Sequence, residues 1–415
     1  MNALLIGFGA VAQALCTLKV PFKNITIIDK VDLSELITNF FSDKESLGTN
    51  IMNQIKFINV KITKENLNLI TQIIGNNKID IVIDCSYGIC TYDLLKILPK
   101  NVSYINTMVN NWEDNNNITS CKSLKERQDK IKKWYNKIKP KNNILLDCGM
   151  NPGLISLWAY NCCEKMNFDQ NEITQCIVSA FDSQRANIPR CEGEFVSTWS
   201  PDCFLREIHQ PIEGHSLGKY YNNPETTGYK TISISMRFSG QLFYGYTIRH
   251  PETITLKKFF PNATLMHIYR CPNEAISSLF EFCIDKSCNT KRILFSEDII
   301  EGSSEIGILM TNGEKLVWYG SLLSNDAIKD YPLSKYINAT TYQAACGLWI
   351  GIYVLQYYKK SEPQLMTPED IVKCPLFEYL LEIVNKYLKI QMIEFDNTDT
   401  VKKFINNKSF EQHFV

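Results

Sequence analysis

A chain of 415 residues with 44 Lys+Arg against 44 Asp+Glu is long enough for two domains. It carries no bulk charge that would draw it to nucleic acid or to an anionic membrane. Its apolar stretches are interrupted before they reach the length of a membrane span or a secretory leader, so a cytoplasmic protein is expected. The 15 cysteines sit mostly singly in apolar segments such as those around Cys16, Cys148 and Cys346, with no C-x-x-C pair. They read as reduced, buried small hydrophobes. The five histidines show no ligand spacing (His209 and His215 are the closest pair), so no metal is expected.

The first element is a buried strand, Asn2-Ala-Leu-Leu-Ile6, running into Gly7-Phe-Gly9-Ala-Val-Ala12. This fits the G-x-G-x-x-A turn of a dinucleotide site, with a helix from about Val11. Gly7 permits the tight turn, Gly9 lets backbone N–H groups approach a pyrophosphate, and Ala12 lets the helix lie close to the strand. Gly7, Gly9, Ala10, Val11 and Ala12 are thus the expected phosphate cradle, aided by the positive helix N-terminus. A second strand, Ile25–Asp29, ends in a carboxylate 22 residues after Gly7. Asp29 suits a ribose hydroxyl and favours NAD over NADP, while neighbouring Lys30 is the residue that would meet a 2′-phosphate.

Strands Ile55–Ile62, Ile79–Asp84, Val102–Thr107 and Asn143–Cys148 follow at helix-sized intervals. The alternation predicts an N-terminal Rossmann-type doubly wound parallel sheet, with Ser86 and Thr107 placed at the cofactor. The basic run Lys122–Lys141 reads as the solvated face of a crossover helix. Asparagines at 110–111 and 115–117 mark surface loops.

Asp147-Cys-Gly-Met-Asn151-Pro-Gly-Leu-Ile-Ser156 closes this sheet. Asn151 is placed either facing the cofactor or as a helix N-cap, roles that are compatible. After a helix over Leu154–Lys165 the pattern changes to strands Cys176–Phe181, Thr231–Phe238, Gln241–Tyr246, Leu265–Tyr269, Ile306–Met310 and Leu316–Tyr319. Ser239-Gly240 and Asn312-Gly313 mark hairpins. A second, α+β domain with a mixed or antiparallel sheet is expected over 153–335. A long helix near Ala339–Tyr358, apolar nearly all round, is expected to pack back on the nucleotide domain. That domain is then 1–152, completed by a helical part over about 336–415.

These segments together resemble homospermidine synthase, within the saccharopine dehydrogenase-like group. The match runs in order through Gly7–Gln13, Tyr104-Ile-Asn-Thr107 with Trp112, Gly149–Ser156, Thr198-Trp-Ser200, Phe204-Leu-Arg-Glu207, Gln210-Pro-Ile-Glu213 and His250-Pro-Glu252. It continues through Glu301-Gly302, Gly307–Met310, Trp318–Ser321 and Asn338-Ala-Thr340. The resemblance implies a homodimeric, NAD-dependent enzyme of polyamine biosynthesis. Putrescine is oxidised, ammonia leaves, a second putrescine condenses, and the same NADH reduces the imine to homospermidine.

It also implies roles. Glu207 would hold an ammonium group (beside Arg206 it reads alternatively as a surface ion pair). Trp199 would face an iminium cation, and Asn151 would hold the reacting amine with Asp84 close by. His250 would exchange protons with a pKa near neutral. Asn110, Asp182 and Glu213 are further substrate-binding candidates, Glu213 reading alternatively as a helix-start carboxylate.

Two positions depart from the family pattern: Asn110 stands near an expected glutamate, and Ala180 replaces another, with Asp182 two residues along. Both departures remove negative charge, which keeps two other readings open. One is an imine-forming reductase of the saccharopine or carboxynorspermidine dehydrogenase type, whose carboxylate-bearing substrate would need Arg185, Arg190, Arg249 or Arg270. The other is a catalytically impaired NAD-binding interaction protein.

Overall fold

A computed structural model describes residues 1–46, 54–112, 123–285, 290–331, 333–358, 363–396 and 402. Two sheets organise the molecule, and both are assembled from segments distant in sequence.

The first sheet has strands β1 (Asn2–Ile6), β2 (Asn24–Asp29), β3 (Gln54–Asn59), β4 (Ile81–Asp84) and β5 (Ser103–Asn106), with helix α1 (Ala10–Thr17) after β1. Helix α2 (Leu124–Ile138) leads to a two-residue strand β6 (Ile144–Leu145), followed by α3 (Leu154–Met166). Ala3–Ile6, Ile25–Ile28 and Ile81–Asp84 are all buried, as parallel strands covered by helices on both faces must be. Strand β6 is shorter than the sequence suggests because Asp147 adopts a left-handed backbone (φ 58°) and turns the chain away.

The second sheet begins with β7 (Gln175–Asp182). After helix α4 (Pro201–His209) come β8 (Pro211–Ser216) and β9 (Lys219–Thr227), then the hairpin β10 (Ile232–Met236) and β11 (Leu242–Ile248). Strands β12 (Thr264–Arg270), β13 (Ser303–Thr311) and β14 (Leu316–Ser324) complete its centre. Helix α5 (Ala339–Tyr357) and strands β15 (Leu365–Met366) and β16 (Ile390–Phe395) follow.

The order in the first sheet is β15-β6-β5-β4-β1-β2-β3, every pair parallel. In the second it is β9-β8-β12-β7-β13-β14-β16, with the β10–β11 hairpin branching off β12. Only β7 with β12 is parallel there. The architecture is therefore a Rossmann-type doubly wound sheet joined to an α+β domain with a mixed sheet. The segment after α5 serves both sheets: β15 extends the first and β16 the second.

Helix α5 is buried nearly all round because it lies between layers. A Cβ at Gly347 would sit 1.7 Å from the Gly149 carbonyl oxygen, so only glycine lets this helix press on the turn carrying Asn151. The asparagines at 115–117 lie outside the described residues. No helix among the described residues is long and apolar enough to cross a membrane.

Candidate active site

In a doubly wound sheet, ligands bind beyond the carboxyl ends of the strands where the order reverses, here between β1 and β4. Gly7 has φ +87°, and its backbone is backed by Cys85 and Ser86 after β4. Phe8 N–H donates to Asp29 Oδ2 (2.8 Å), and Val31 N–H to Oδ1 (3.0 Å). The loop and the end of β2 are thereby held together. A Cβ added at Gly9 would meet nothing within 4 Å, so open space lies over the loop at the N-terminus of α1. Gly7, Gly9, Ala10 and Ala12 stand there with Asp29.

A cavity lies beside this loop, between the two sheets. From the first sheet's loops it takes Val11, Ser86, Thr107 and Asn151; from the second domain, Asp182, Trp199, Glu207 and His250. Eight of the residues singled out in the sequence, up to 239 positions apart (11 to 250), thus share one enclosure.

Helix α4 aims the second wall. Ser200 caps it by accepting from Cys203 N–H (3.3 Å), and Pro201 occupies its first turn. Cys203 and Glu207, one turn apart, then face the cavity together. Glu207 is not a surface ion pair: both it and Arg206 are buried. Arg206 points the other way, donating to Asn110 Oδ1 (3.1 Å). Trp199 is half-buried against Phe204 and Tyr269, and its indole N–H donates to the Tyr269 hydroxyl at 3.1 Å.

The ionic centre is a row of four side chains. His250 Nε2 donates to Glu207 Oε2 (3.1 Å), and its Nδ1 lies 3.5 Å from Glu252 Oε2. Glu252 Oε1 accepts from His267 Nδ1 (2.9 Å). Burial opposes charge on His250, but the Glu252 and Glu207 carboxylates outweigh it and raise its pKa to about 10. The sequence expectation of a near-neutral histidine is corrected: His250 is a cation at neutral pH. Burial would push Glu252 up, yet His250 and His267 bring it down to about 2. Burial, with His250 beside it, keeps His267 low and neutral.

Donor atoms of His250, Glu252 and His267 lie within 4.8 Å of one another. Within the protein these side chains contact one another directly, His267 Nδ1 donating to Glu252 Oε1 and His250 Nδ1 lying beside Glu252 Oε2. Glu252 and His267 were missed in the sequence. The only signals were a carboxylate two residues after His250 and a histidine inside an apolar strand.

Three of the expected catalytic and substrate-binding residues do not reach the cavity. Asp84 is buried behind the wall, accepting from Ser86 N–H (3.0 Å), Ser86 Oγ (2.6 Å) and Tyr104 OH (2.8 Å). Burial raises its pKa, and it positions Ser86. Asn110 ties Ser86 to Arg206, donating to the Ser86 carbonyl at 3.1 Å. Glu213 lies in strand β8 and starts no helix of its own. It pairs with buried Arg249 (3.0 Å) and accepts from Leu124 N–H (2.7 Å), fastening the N-terminus of α2 to the second sheet. Asn151 does not cap α3, whose N-cap is Gly153; its amide Nδ2 lies 3.5 Å from His267 Nε2.

Residues 3–143 match the family model of the saccharopine dehydrogenase NADP binding domain. Homospermidine synthase of Mesorhizobium japonicum is 24% identical over 419 residues, covering 84% of this chain and 82% of that protein. Homospermidine synthase of Blastochloris viridis is 26% identical over 255 residues, 49% of this chain and 52% of the relative. The first match therefore spans most of its relative and the second about half. In structure, the homospermidine synthase of Legionella pneumophila in complex with NAD superposes with a TM-score of 0.76 at 24% identity, over 96% of this chain and 92% of that one.

The resemblance read in the sequence is matched by these findings: the chain is similar to homospermidine synthases, and its N-terminal part to the saccharopine dehydrogenase NADP binding domain. Apo saccharopine dehydrogenase (L-Glu forming) from Saccharomyces cerevisiae shares the homospermidine synthase-like fold more distantly. Its TM-score is 0.55 at 13% identity, over 95% of this chain and all of that one.

Proposed function

We propose that this chain is an NAD-dependent enzyme that joins two diamines, putrescine or a close analogue, into homospermidine or its analogue with release of ammonia. The observation that carries the reading is the charge of the cavity wall. Its acidic and basic side chains are Asp182, Glu207, Glu305, His250 and His267, with no lysine or arginine among the lining residues. Asp182 accepts only from neutral donors, Thr198 Oγ1 (2.6 Å), Thr340 Oγ1 (3.1 Å) and Gln184. Burial raises its pKa, and a cationic ligand is the natural complement to such a carboxylate.

The alternative substrate bearing a carboxylate would need an arginine. Arg185 pairs with Glu301, Arg190 with Glu281 and Arg249 with Glu213, and Arg270 donates to Asn273. None lines the cavity.

The open space over Gly9 and the carboxylate of Asp29 fit a dinucleotide with a free ribose 2′-hydroxyl better than one with a 2′-phosphate. The backbone at Gly7–Ala12 and the Asp29 carboxylate would hold NAD, which would supply reversible hydride transfer at the amine carbon. Asn151 orients the amine beside Ser86 and Thr107. The indole face of Trp199 stabilises the iminium cation by up to about 2 kcal/mol once water is excluded. Glu207 takes protons from ammonium groups, with His250 holding its carboxylate in place.

We also infer a cytoplasmic homodimer. Its support is the free, buried thiols and an exposed aromatic face of Tyr357, Tyr379 and Tyr387; sedimentation velocity tests the dimer. For the reaction, purified protein is incubated with putrescine and NAD. Homospermidine and ammonia in equal amounts support the reading; dinucleotide binding without either product overturns it in favour of an interaction protein.

A further inference from the structure

Glu252 is wholly buried and stands between two imidazoles, 2.9 Å from His267 and 3.5 Å from His250. His250 passes on to Glu207, and His267 Nε2 faces the Asn151 amide. Glu207, His250, His267 and Asn151 line the cavity, whereas Glu252 does not. The row therefore leaves the cavity at Glu207, runs behind its wall and returns at His267. The two rings are 4.2 Å apart, centre to centre. Two imidazolium ions would repel strongly at that separation in a buried setting, so the pair shares one positive charge.

We propose that Glu252 bridges a proton relay whose two ends, Glu207 and His267, both open on the amine cavity; the inference rests on the diamine reading above. At rest His250 carries protons on both ring nitrogens, Glu207 and Glu252 are carboxylates, and His267 carries its proton on Nδ1. An ammonium group held by Asn151 gives a proton to His267 Nε2. The Nδ1 proton of His267 moves to Glu252 Oε1, and the Nε2 proton of His250 moves to Glu207. One proton has entered at His267, and Glu207 is a neutral acid able to protonate the departing amine. No electron moves in these steps.

The second amine adds through its nitrogen lone pair to the iminium carbon, and Glu207 protonates the first nitrogen of the resulting gem-diamine. The freed Glu207 carboxylate takes a proton from the newly bonded nitrogen and hands it to His250 Nε2, and ammonia leaves as the new C=N bond forms. After the hydride returns, the new secondary amine takes the Nε2 proton of His267, and Glu252 returns its proton to His267 Nδ1. Two protons are taken and two returned, and the resting state is restored. Glu252 is on this view a positioning residue that acts through both histidines, and it explains why a buried carboxylate is held between them.

The test is steady-state turnover of putrescine with NAD in mixtures of H2O and D2O, for the unaltered chain, Glu252→Gln and His267→Gln. The relay predicts kcat lower by about 100-fold or more in both variants with KM within about 3-fold. It also predicts a curved dependence of rate on deuterium fraction in the unaltered chain that becomes linear in Glu252→Gln. Unchanged kcat in Glu252→Gln overturns the relay, as does a rise in KM alone. Where the variants fail to fold by thermal melting, a linear dependence in the unaltered chain overturns it equally. Absence of homospermidine from the unaltered chain overturns the diamine reading and the relay together, whereas product with an unaffected Glu252→Gln overturns the relay alone.

Discussion

On the loop side of the cavity the wall is backbone: Gly7 in a left-handed turn, open space over Gly9, and N–H groups at the start of α1. On the opposite side it is side chain: Trp199, Glu207 and His250, carried by the turn into α4, by α4 itself and by the segment after β11, and held by Tyr269 and Glu252. A backbone site depends on small residues at fixed spacing and tolerates many sequences around it. A side-chain site depends on buried charges that complete one another, so losing one member strands the others. The two sides should therefore fail differently when altered, one in dinucleotide affinity and the other in turnover.

The largest separation is expected from Glu207→Gln. It removes a carboxylate from the cavity and one counter-charge from His250. Turnover should fall about 10³-fold, with dinucleotide affinity, measured by fluorescence titration, unchanged. Gly9→Ala should do the reverse. Its Cβ meets no protein atom, so the thermal midpoint should hold while dinucleotide affinity falls on the order of 10-fold to 100-fold. Gly7→Ala, with φ +87° and backbone atoms of Cys85 and Ser86 at 3.1–3.2 Å, should lose both affinity and stability. An affinity loss in Glu207→Gln as large as that in Gly9→Ala would erase the distinction between the two walls.

Trp199→Phe keeps an aromatic face but weakens it and drops the hydrogen bond to Tyr269. Turnover should fall roughly 10-fold to 30-fold, near the upper value of a desolvated cation–π contact, with diamine binding retained by calorimetry.

The smallest effect is in stability against pH. The raised pKa of His250, from its ordinary 6.5 to about 10, gives stability that is complete below pH 6.5 and is lost as pH rises through 10. Glu252, lowered from 4.5 to about 2, gives stability present above pH 4.5 and lost as pH falls through 2. Denaturant unfolding of His250→Gln should show a flatter decline between pH 6.5 and 10 than the unaltered chain. An equal decline in both would place the source of the pH dependence elsewhere.

The same contrast explains what could be read in advance. Strands β1, β2 and β4 are short runs of buried branched residues, and the glycine loop states its geometry in its spacing. The hairpins at Gly240 and Gly313 were likewise visible. Strand β9, Lys219-Tyr-Tyr-Asn-Asn-Pro-Glu-Thr-Thr, is an exposed edge with polar residues on both faces, so it offers no alternation to detect.

In the site, Trp199 and Glu207 stood out only through the resemblance. The partnership of Glu207 with His250 spans 43 residues, and that of His267 with Glu252 joins a strand to a short helix. No local pattern encodes such pairs. Nor could sequence tell that Asp84, Asn110 and Glu213 point away from the cavity, since that depends on which face each element buries.

The central claim is that one bound cofactor serves both an oxidation and a reduction. It is tested most directly with putrescine deuterated at both amine-bearing carbons, incubated with the protein and unlabelled NAD. The account predicts homospermidine that keeps its full deuterium content, because the deuteride taken from one amine carbon is returned to the same carbon as the imine is reduced. Homospermidine with one deuterium replaced by hydrogen, or deuterated NADH accumulating in solution, would contradict it.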